Sequence, residues 1–208
     1  MTRIGWTALV VAVLISAYSV AEAIAVGITG QSIVDPDAGP KVAQGAVGVV
    51  LTLTFALSVA VLREQAGRID AGSRPRCWLR RLLQADLAAG AAVSAITVVL
   101  TPFSPSGPIQ EMLGAVGGGA FILAFVLGAA LGLTLIRRPE LRPAAVCLSS
   151  IAALIPLTIL MGILQSRWTH IAYAETALYI GIALLARKPQ PDEMTRPAEQ
   201  QSTARLTA

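Results

Sequence analysis

Two carboxylates in apolar surroundings are the residues of this chain best suited to do chemistry. Glu22 and Glu175 each lie within a long apolar run, where an ionisable side chain is costly and is by default a candidate for function. Tyr18 precedes Glu22 by four residues and Tyr179 follows Glu175 by four, so each acid shares a helix face with a phenol. If those two faces meet, they form a polar pocket with the acids at one level and the hydroxyls one turn deeper.

Three roles remain open for this pair of acids. They could stabilise a helical bundle through hydrogen bonds, bind or move a proton, cation or amphiphile, or act as acid and base catalysts on a lipid. Two carboxylates in different environments can divide the roles of acid and base. The candidate catalytic residues are therefore Glu22 and Glu175, and the candidate binding residues are Tyr18, Glu22, His170, Glu175 and Tyr179.

Two other polar residues are interpreted differently. Asp86 lies about a turn and a half into an apolar run that follows Arg80 and Arg81, so the sequence favours an ion pair with one of those arginines. His170 is the single histidine, and metal sites generally need several converging ligands. We therefore expect it to form hydrogen bonds at the membrane interface, and we predict neither a metal nor a cofactor, since no phosphate-binding loop or HExxH helix is present.

The chain contains six apolar runs, and the two acids lie in the first and the last of them. The chain has 208 residues, of which 55% are hydrophobic and 13% charged, about half the charge of a soluble domain. A helix needs about 20 apolar residues to cross a membrane, and six runs approach or exceed that length: Gly5–Val26, Val42–Leu62, Leu82–Thr101, Leu113–Ile136, Ala144–Leu164 and Trp168–Ala186. The sequence predicts an all-α bundle of six transmembrane helices over residues 1–187, followed by a polar, proline-containing tail at 188–208 that we expect to be disordered.

The basic residues predict the orientation of this bundle. Of the 16 Lys and Arg residues, all but Lys41 and Arg167 fall at the termini or in loops on one side of the six spans. Because positively charged loops stay in the cytoplasm, both termini are expected to be cytoplasmic. The same distribution argues against nucleic-acid binding, which would need one basic stripe or patch. The Ala-, Gly- and Arg-rich usage is consistent with a high-GC bacterium, and the predicted location is a bacterial plasma membrane.

Glycines mark the fourth span. Gly114 and Gly118, and again Gly128 and Gly132, stand four residues apart, a spacing that lets helices approach closely in lipid. Such pairs are used for packing within a bundle, for homo-oligomers and for close approach to a ligand, and the sequence alone leaves these alternatives open.

The second half of the chain resembles the bacterial six-helix membrane proteins grouped as domain of unknown function 998. The similar features are the stretch Thr101-Pro102-Phe103-Ser104-Pro105, the helix carrying Phe121 and Phe125, and residues 162–167 before the last span. The chain departs from that family where the fourth helix begins, because Gln110-Glu111-Met112 stands where a histidine is common. The resemblance implies a six-helix membrane bundle and no established activity.

The predicted function is that of a membrane protein that binds or moves a small molecule or lipid through a polar pocket in the outer half of the bundle. One alternative is an intramembrane enzyme that performs acid-catalysed chemistry on an isoprenoid or lipid, since small integral-membrane terpene cyclases are similar in size and also carry intramembrane acids. Another is a structural subunit that uses the glycine-rich helix to contact a partner or a second copy.

Overall fold

A computed structural model describes residues 1–33, 41–100, 108–164 and 171–187 of the chain, apart from the side chains of residues 41–44 and 110. The described residues contain helices and no strands, which confirms the all-α prediction. The helices are α1 (Arg3–Thr29), α2 (Lys41–Glu64), α3 (Ala66–Asp70), α4 (Arg74–Leu100), α5 (Pro108–Leu135), α6 (Arg142–Ile163) and α7 (Ala172–Leu184), with a 3-10 turn at Pro139–Leu141.

Five of these helices are long and apolar enough to cross a membrane, namely α1, α2, α4, α5 and α6. The sixth apolar helix, α7, has 13 residues in the described part of the chain, or about 20 Å at 1.5 Å per residue. The predicted start of the last span, at Trp168, lies outside the described residues, as does the predicted tail. The fold is therefore that of a helical membrane bundle with five long apolar helices and a shorter one.

The segment between α2 and α4 differs from the sequence prediction. The spans predicted from the sequence leave residues 63–81 as a loop, but this segment contains the short helix α3, and α4 begins at Arg74 instead of Leu82. Arginine is a good helix former, so the basic stretch that orients the chain also extends the helix beyond its apolar part. This extension brings Arg80 onto a helix that faces α3.

The six apolar helices are arranged in a closed ring. Each packs against the next in the order α1, α2, α4, α5, α6 and α7, and α7 packs in turn against α1. Helix α7 also reaches α2 and α5 across the middle of the ring. The first and last spans are therefore neighbours, and the acids that they carry can meet.

One end of the bundle, here called the basal end, is where α1 begins and where α2 and α7 end. Thr2 caps α1 by accepting a hydrogen bond from the Gly5 amide and donates one of 3.0 Å to Glu64 at the end of α2. Arg68 donates hydrogen bonds to the backbone carbonyls of Leu185 and Arg187, just past the end of α7. A cation at a helix carboxyl end is stabilising because it complements the carbonyl groups that lack helical partners.

Tight packing is concentrated in the basal half. In α2, α5 and α6 every buried residue lies in the half of the helix nearer the basal end. Helix α4 follows the same pattern, except that Leu87 lies at its midpoint and Gly90 just beyond it. Representative buried side chains are Leu62, Leu83, Leu131 and Leu148, each fully shielded from solvent. Only α1 and α7 carry buried residues along their length. The opposite half, here called the distal half, is therefore more open.

The two glycine pairs of α5 have different surroundings. A Cβ built on Gly132 would lie 2.5 Å from the backbone nitrogen of Ser149, and one built on Gly128 would lie 2.7 Å from a methyl group of Leu178. The same construction at Gly114 and Gly118 meets nothing within 4 Å. The basal pair therefore serves packing against α6 and α7 within the bundle, and the distal pair does not.

Candidate functional site

A cavity of about 220 Å³ opens in the distal half of the bundle between α1, α2, α5 and α7. It brings together three of the predicted site residues, Tyr18, Glu22 and Glu175, which all line it. The complete lining in the described part of the chain is Ile15, Tyr18, Ser19, Glu22, Val47, Leu51, Phe121 and Glu175. Polar groups come from α1 and α7, whereas α2 and α5 supply apolar surface.

Helical spacing explains the contribution of α1. Its lining residues stand at positions 15, 18, 19 and 22, which follow one face of a helix at intervals of three and four. Helix α7 lies beside this face and runs in the opposite direction, so its first turn meets the distal part of α1. One polar stripe on α1 and one acid in the first turn of α7 therefore supply all the polar side chains of the lining in the described part of the chain.

Glu175 is held by a hydrogen bond across this helix contact. The Oγ of Ser19 donates to its Oε2 at 2.8 Å. Ser19 is buried, and Glu175 is partly buried. Because a buried polar group that lacks a partner is destabilising, this bond both satisfies the serine and fixes the carboxylate at the cavity wall.

Glu22 is held by the chain that follows its own helix. Helix α1 ends at Thr29 and is capped by Gly30, whose φ of 75° is a left-handed conformation that glycine adopts without strain. The chain then turns back toward Glu22. The Ser32 hydroxyl donates to Oε1 of Glu22, and the Ile33 amide donates to Oε2 at 2.9 Å. Both carboxylate oxygens thus accept hydrogen bonds, and the second acid of the cavity is also fixed in position.

The inner boundary of the cavity is aromatic. Phe121 lines the cavity and packs edge-to-face on Phe55, Phe125 and Tyr179, with ring centroids 5.5, 5.5 and 6.5 Å away. Such edge-to-face pairs are a preferred arrangement of aromatic rings. We expect from the sequence that Tyr179 lines the pocket, but Phe121 lines it and Tyr179 does not.

Tyr179 lies outside the lining. It is only 1% exposed, and its hydroxyl has no hydrogen-bond partner within the described part of the chain. It therefore stands behind Phe121 as part of the aromatic cluster. His170, the remaining candidate binding residue, lies outside the described residues.

Sequence reasoning did not identify the apolar half of the lining. Ile15, Val47, Leu51 and Phe121 have no feature that separates them from other apolar residues of the same spans. One weak signal was available: helical spacing places Ile15 on the same face of α1 as Ser19 and Glu22. Which residues of α2 and α5 face that stripe depends on the ring order of the helices, which one sequence does not show.

The predicted ion pair of Asp86 is wrong. Arg80 instead binds Asp70 of α3, with its Nε 2.9 Å from Oδ1 and its Nη2 2.8 Å from Oδ2, and it also contacts Gln84. The hydrogen bonds from Arg80 lower the pKa of the Asp70 carboxyl from its usual value. The Oδ2 of Asp86 is buried with no hydrogen-bond partner among the described residues. Asp86 lies on α4, which does not line the cavity, as expected from its different depth.

The lining of the cavity has mixed polar and apolar character. Two carboxylates and the hydroxyls of Tyr18 and Ser19 supply its polar groups, and aliphatic and aromatic groups form the rest. In the ranges that the structure describes, no three His, Cys, Asp or Glu residues are grouped so that they could hold a metal ion. Pockets of mixed character, mostly apolar with a few placed polar groups, are typical of small-molecule sites.

Comparison with known proteins adds no family to this geometry. No family model, no curated protein and no solved structure matches the chain. The resemblance to domain of unknown function 998 therefore stays a prediction, and the case for a function rests on the cavity itself.

Proposed function

We propose that this protein spans the bacterial plasma membrane six times with both termini in the cytoplasm, and that it binds or moves a small amphiphilic molecule through the cavity. The orientation follows from the basic loops, because Arg63, Arg68 and Arg74 all lie at or near the basal end, which would face the cytoplasm. The cavity then lies in the outer half of the membrane.

The observation that carries the proposal is that Glu22 and Glu175, from opposite ends of the sequence, line one cavity together with apolar side chains. Carboxylates within a membrane span are costly unless they have a partner or a function. Here both are held by hydrogen bonds that aim them at the same space. A site of this kind would bind a polar head beside the acids and an apolar body against Val47, Leu51 and Phe121.

The volume limits what this site would enclose. A cavity of 150 Å³ is enough for benzene, whereas drug-sized ligands occupy sites of about 300–1,000 Å³. At about 220 Å³, the cavity would hold a ring or a short chain with one polar group. A longer lipid would place only its head there and leave its chain in the bilayer. Acid-catalysed chemistry on a whole isoprenoid, the enzymatic alternative, would need more enclosed space.

A blocked cavity tests the proposal directly. Val47 lines the cavity, whereas Val49 on the same helix is exposed and does not. The variants V47F and V49F add the same ring to the same helix, so they form a matched pair. Binding of three small aromatic amphiphiles, 2-phenylethylamine, 2-phenylethanol and 3-phenylpropionate, is measured by calorimetry on purified protein in phosphatidylcholine nanodiscs.

We expect at least one of the three compounds to bind to the natural protein and to V49F, and to bind at least ten-fold more weakly to V47F. If none binds, or if the two valine variants behave alike, the cavity is not the binding site and the proposal fails. Transport is then tested in vesicles with the compound that binds. Enzymatic action would instead appear as a product that is lost in E22Q and E175Q while both variants still accumulate in the membrane.

A further inference from the structure

We propose that the outer face of α4 at the basal end binds the headgroup of an anionic phospholipid, with Arg74 and Arg81 on its phosphate and Trp78 beside them. These three residues define the surface, here called the arginine face. It lies in the opposite half of the bundle from the cavity and does not depend on the function proposed for that cavity. Four observations support it: the exposure of these residues, their depth, the local charge and the apolar surface that follows them.

Helical spacing places the three residues of the arginine face side by side. Trp78 follows Arg74 by four residues and Arg81 follows Trp78 by three, which is the spacing of one helix face. All three are exposed, and Trp78 has 64% of its surface accessible. The buried residues of α4, among them Arg80 and Leu83, lie on the other side of the helix. The arginine face therefore points away from the bundle, toward the surrounding lipid.

The depth of the arginine face is that of a lipid headgroup. The apolar run of α4 begins at Leu82, directly after Arg81. Tryptophan is enriched at the headgroup level because its ring is apolar and its N–H is polar. Arginine keeps its guanidinium at the same level while its methylene groups lie along apolar surface. The three side chains thus lie where a phosphate of the bilayer is within reach.

The local charge is strongly positive. Residues 70–81 contain four arginines and one acid, Asp70. Asp70 accepts two hydrogen bonds from Arg80, and Arg81 has a smaller electrostatic effect on the same carboxyl. One carboxylate therefore faces an excess of guanidinium groups, which complements the negative charge of an anionic lipid.

The start of α4 adds to this positive charge. The helix begins at Arg74, and its first turn contains no acid. The amino end of a helix carries partial positive charge, so arginines there are unfavourable unless an anion is near. Glu64 and Glu140, two other acids at the basal end, have partners elsewhere, Thr2 and Arg138. A lipid phosphate would relieve this repulsion, because guanidinium groups bind phosphate through two parallel hydrogen bonds.

The surface that follows the arginine face suits the rest of a phospholipid. Every exposed residue of α4 beyond Arg81 is apolar, from Leu82 to Val99. A soluble phosphate makes no use of such a surface, whereas acyl chains lie along it. The proposal therefore commits to a lipid rather than to a free anion.

Quenching of tryptophan fluorescence by brominated lipids tests the arginine face directly. The variant W6F/W168F keeps Trp78, and the matched variant W78F/W168F keeps Trp6, which is 58% exposed near the start of α1. Within four residues of Trp78 there are four arginines, and within four residues of Trp6 there is one. Each variant is reconstituted in mixtures of phosphatidylglycerol and phosphatidylcholine, with one or the other brominated on the same acyl carbons. The two quenching curves give the relative affinity of the site for the two lipids.

We expect Trp78 to report a preference for phosphatidylglycerol of at least about five-fold, the effect of one arginine near an anionic surface. Trp6 should report about two-fold or less, because it is exposed only to the general charge of the basal end. The absence of a preference at Trp78 would overturn the proposal. Equal preferences at the two tryptophans would also overturn it, since the lipid would then respond to the net charge and not to the arginine face.

Charge variants locate the source of the preference. In the protein that keeps Trp78, R74Q and R81Q should each lower the preference by about two-fold or more. The control is R142Q, which removes the same charge from an exposed residue at the start of α6, a helix that does not neighbour α4 in the ring. It should leave the preference unchanged, and an equal effect of all three variants contradicts the proposal. Arg74 and Arg81 are exposed, so both variants should fold, which circular dichroism checks.

The tail of the chain is the competing source of negative charge, because it contains Asp192 and Glu193. The quenching measurement is therefore repeated on protein that ends at Arg187. Equal preferences in the full chain and in the shortened chain support the lipid. A preference that appears only in the shortened chain would show that the tail occupies the arginine face, and the proposal would fail. Neither result bears on V47F and V49F, so the cavity is tested separately.

Discussion

The hydroxyl of Ser19 donates a hydrogen bond of 2.8 Å to Oε2 of Glu175, and it joins the first and last helices of the ring. One turn along α1, the hydroxyl of Ser16 is also buried but has no hydrogen-bond partner among the described residues. These two serines lie on the same helix and are similarly shielded, at 6% and 5% exposure. They differ in whether the hydroxyl has a partner.

This difference predicts opposite effects of the same substitution. S19A removes the hydrogen bond that joins α1 to α7, so we expect it to destabilise the protein by about 1–3 kcal/mol. S16A removes a hydroxyl that has no partner, so stability should stay within about 0.5 kcal/mol or rise. Unfolding by titration with a denaturing detergent measures both. Equal losses for the two variants would show that the Ser19 bond does not stabilise the contact between α1 and α7.

The two glycine pairs of α5 predict a second contrast. G132A places a methyl group against the backbone of α6, which cannot yield as a flexible side chain would, and we expect a loss of about 1–3 kcal/mol. G118A meets open space, so it should be neutral or stabilise the helix by up to about 1 kcal/mol. Thermal unfolding in detergent separates them. Loss of an oligomer in G118L, seen by crosslinking in membranes, would instead show that the distal pair serves a second copy.

Asp70 and Arg80 predict a dependence of stability on pH. Because Arg80 lowers the folded-state pKa of Asp70, the pair stabilises the protein above the unfolded pKa of aspartate, about 3.9, and this contribution is lost as the pH falls through the folded value. D70N should therefore be less stable than the natural protein at pH 7, and the gap should shrink below about pH 4. The control is E140Q, whose partner Arg138 is 3.3 Å away in a more exposed pair. It should have little effect at either pH.

The two tyrosines predicted for the pocket should also differ. Tyr18 lines the cavity, so Y18F should weaken binding of an amphiphile by several-fold through loss of a hydrogen bond. The hydroxyl of Tyr179 has no partner among the described residues, so Y179F should leave binding unchanged and should not lower stability. Replacement of the ring in Y179L should be destabilising, since the ring packs on Phe55 and Phe121. Calorimetry and thermal unfolding check these three variants.

Reporter fusions at the two termini test the proposed orientation. Fluorescent reporters fused before Met1 and after Ala208 should both report a cytoplasmic location, since the basic loops lie on their side. An alkaline phosphatase fusion in the segment 34–40 should be active outside. A reporter that places the two termini on opposite sides would contradict the six-span arrangement and leave the five long helices as the spans.

The all-α membrane class and the meeting of Glu22 with Glu175 could be predicted because they depend on local patterns. The length of the apolar runs predicts the helices. With an even number of spans, the first and last helices run in opposite directions, so Glu22 near the end of one and Glu175 near the start of the other lie at a similar depth. Their being neighbours depends on the closed ring, which no local pattern indicates. The partner of Arg80 was missed for a related reason, since the short helix α3 that carries Asp70 was expected to be a loop. Phe121 was missed because one aromatic residue on a glycine-rich helix resembles any other core residue.

The concentration of buried side chains near the basal end has a consequence for how this protein can evolve. A change at Leu131 or Leu148 falls in a fully shielded region and endangers folding. Val47 and Leu51, by contrast, are half-buried, and a change there alters the shape of the cavity at a smaller cost to the fold. Substitutions that reshape the cavity can therefore accumulate in the distal half while selection maintains the scaffold in the basal half.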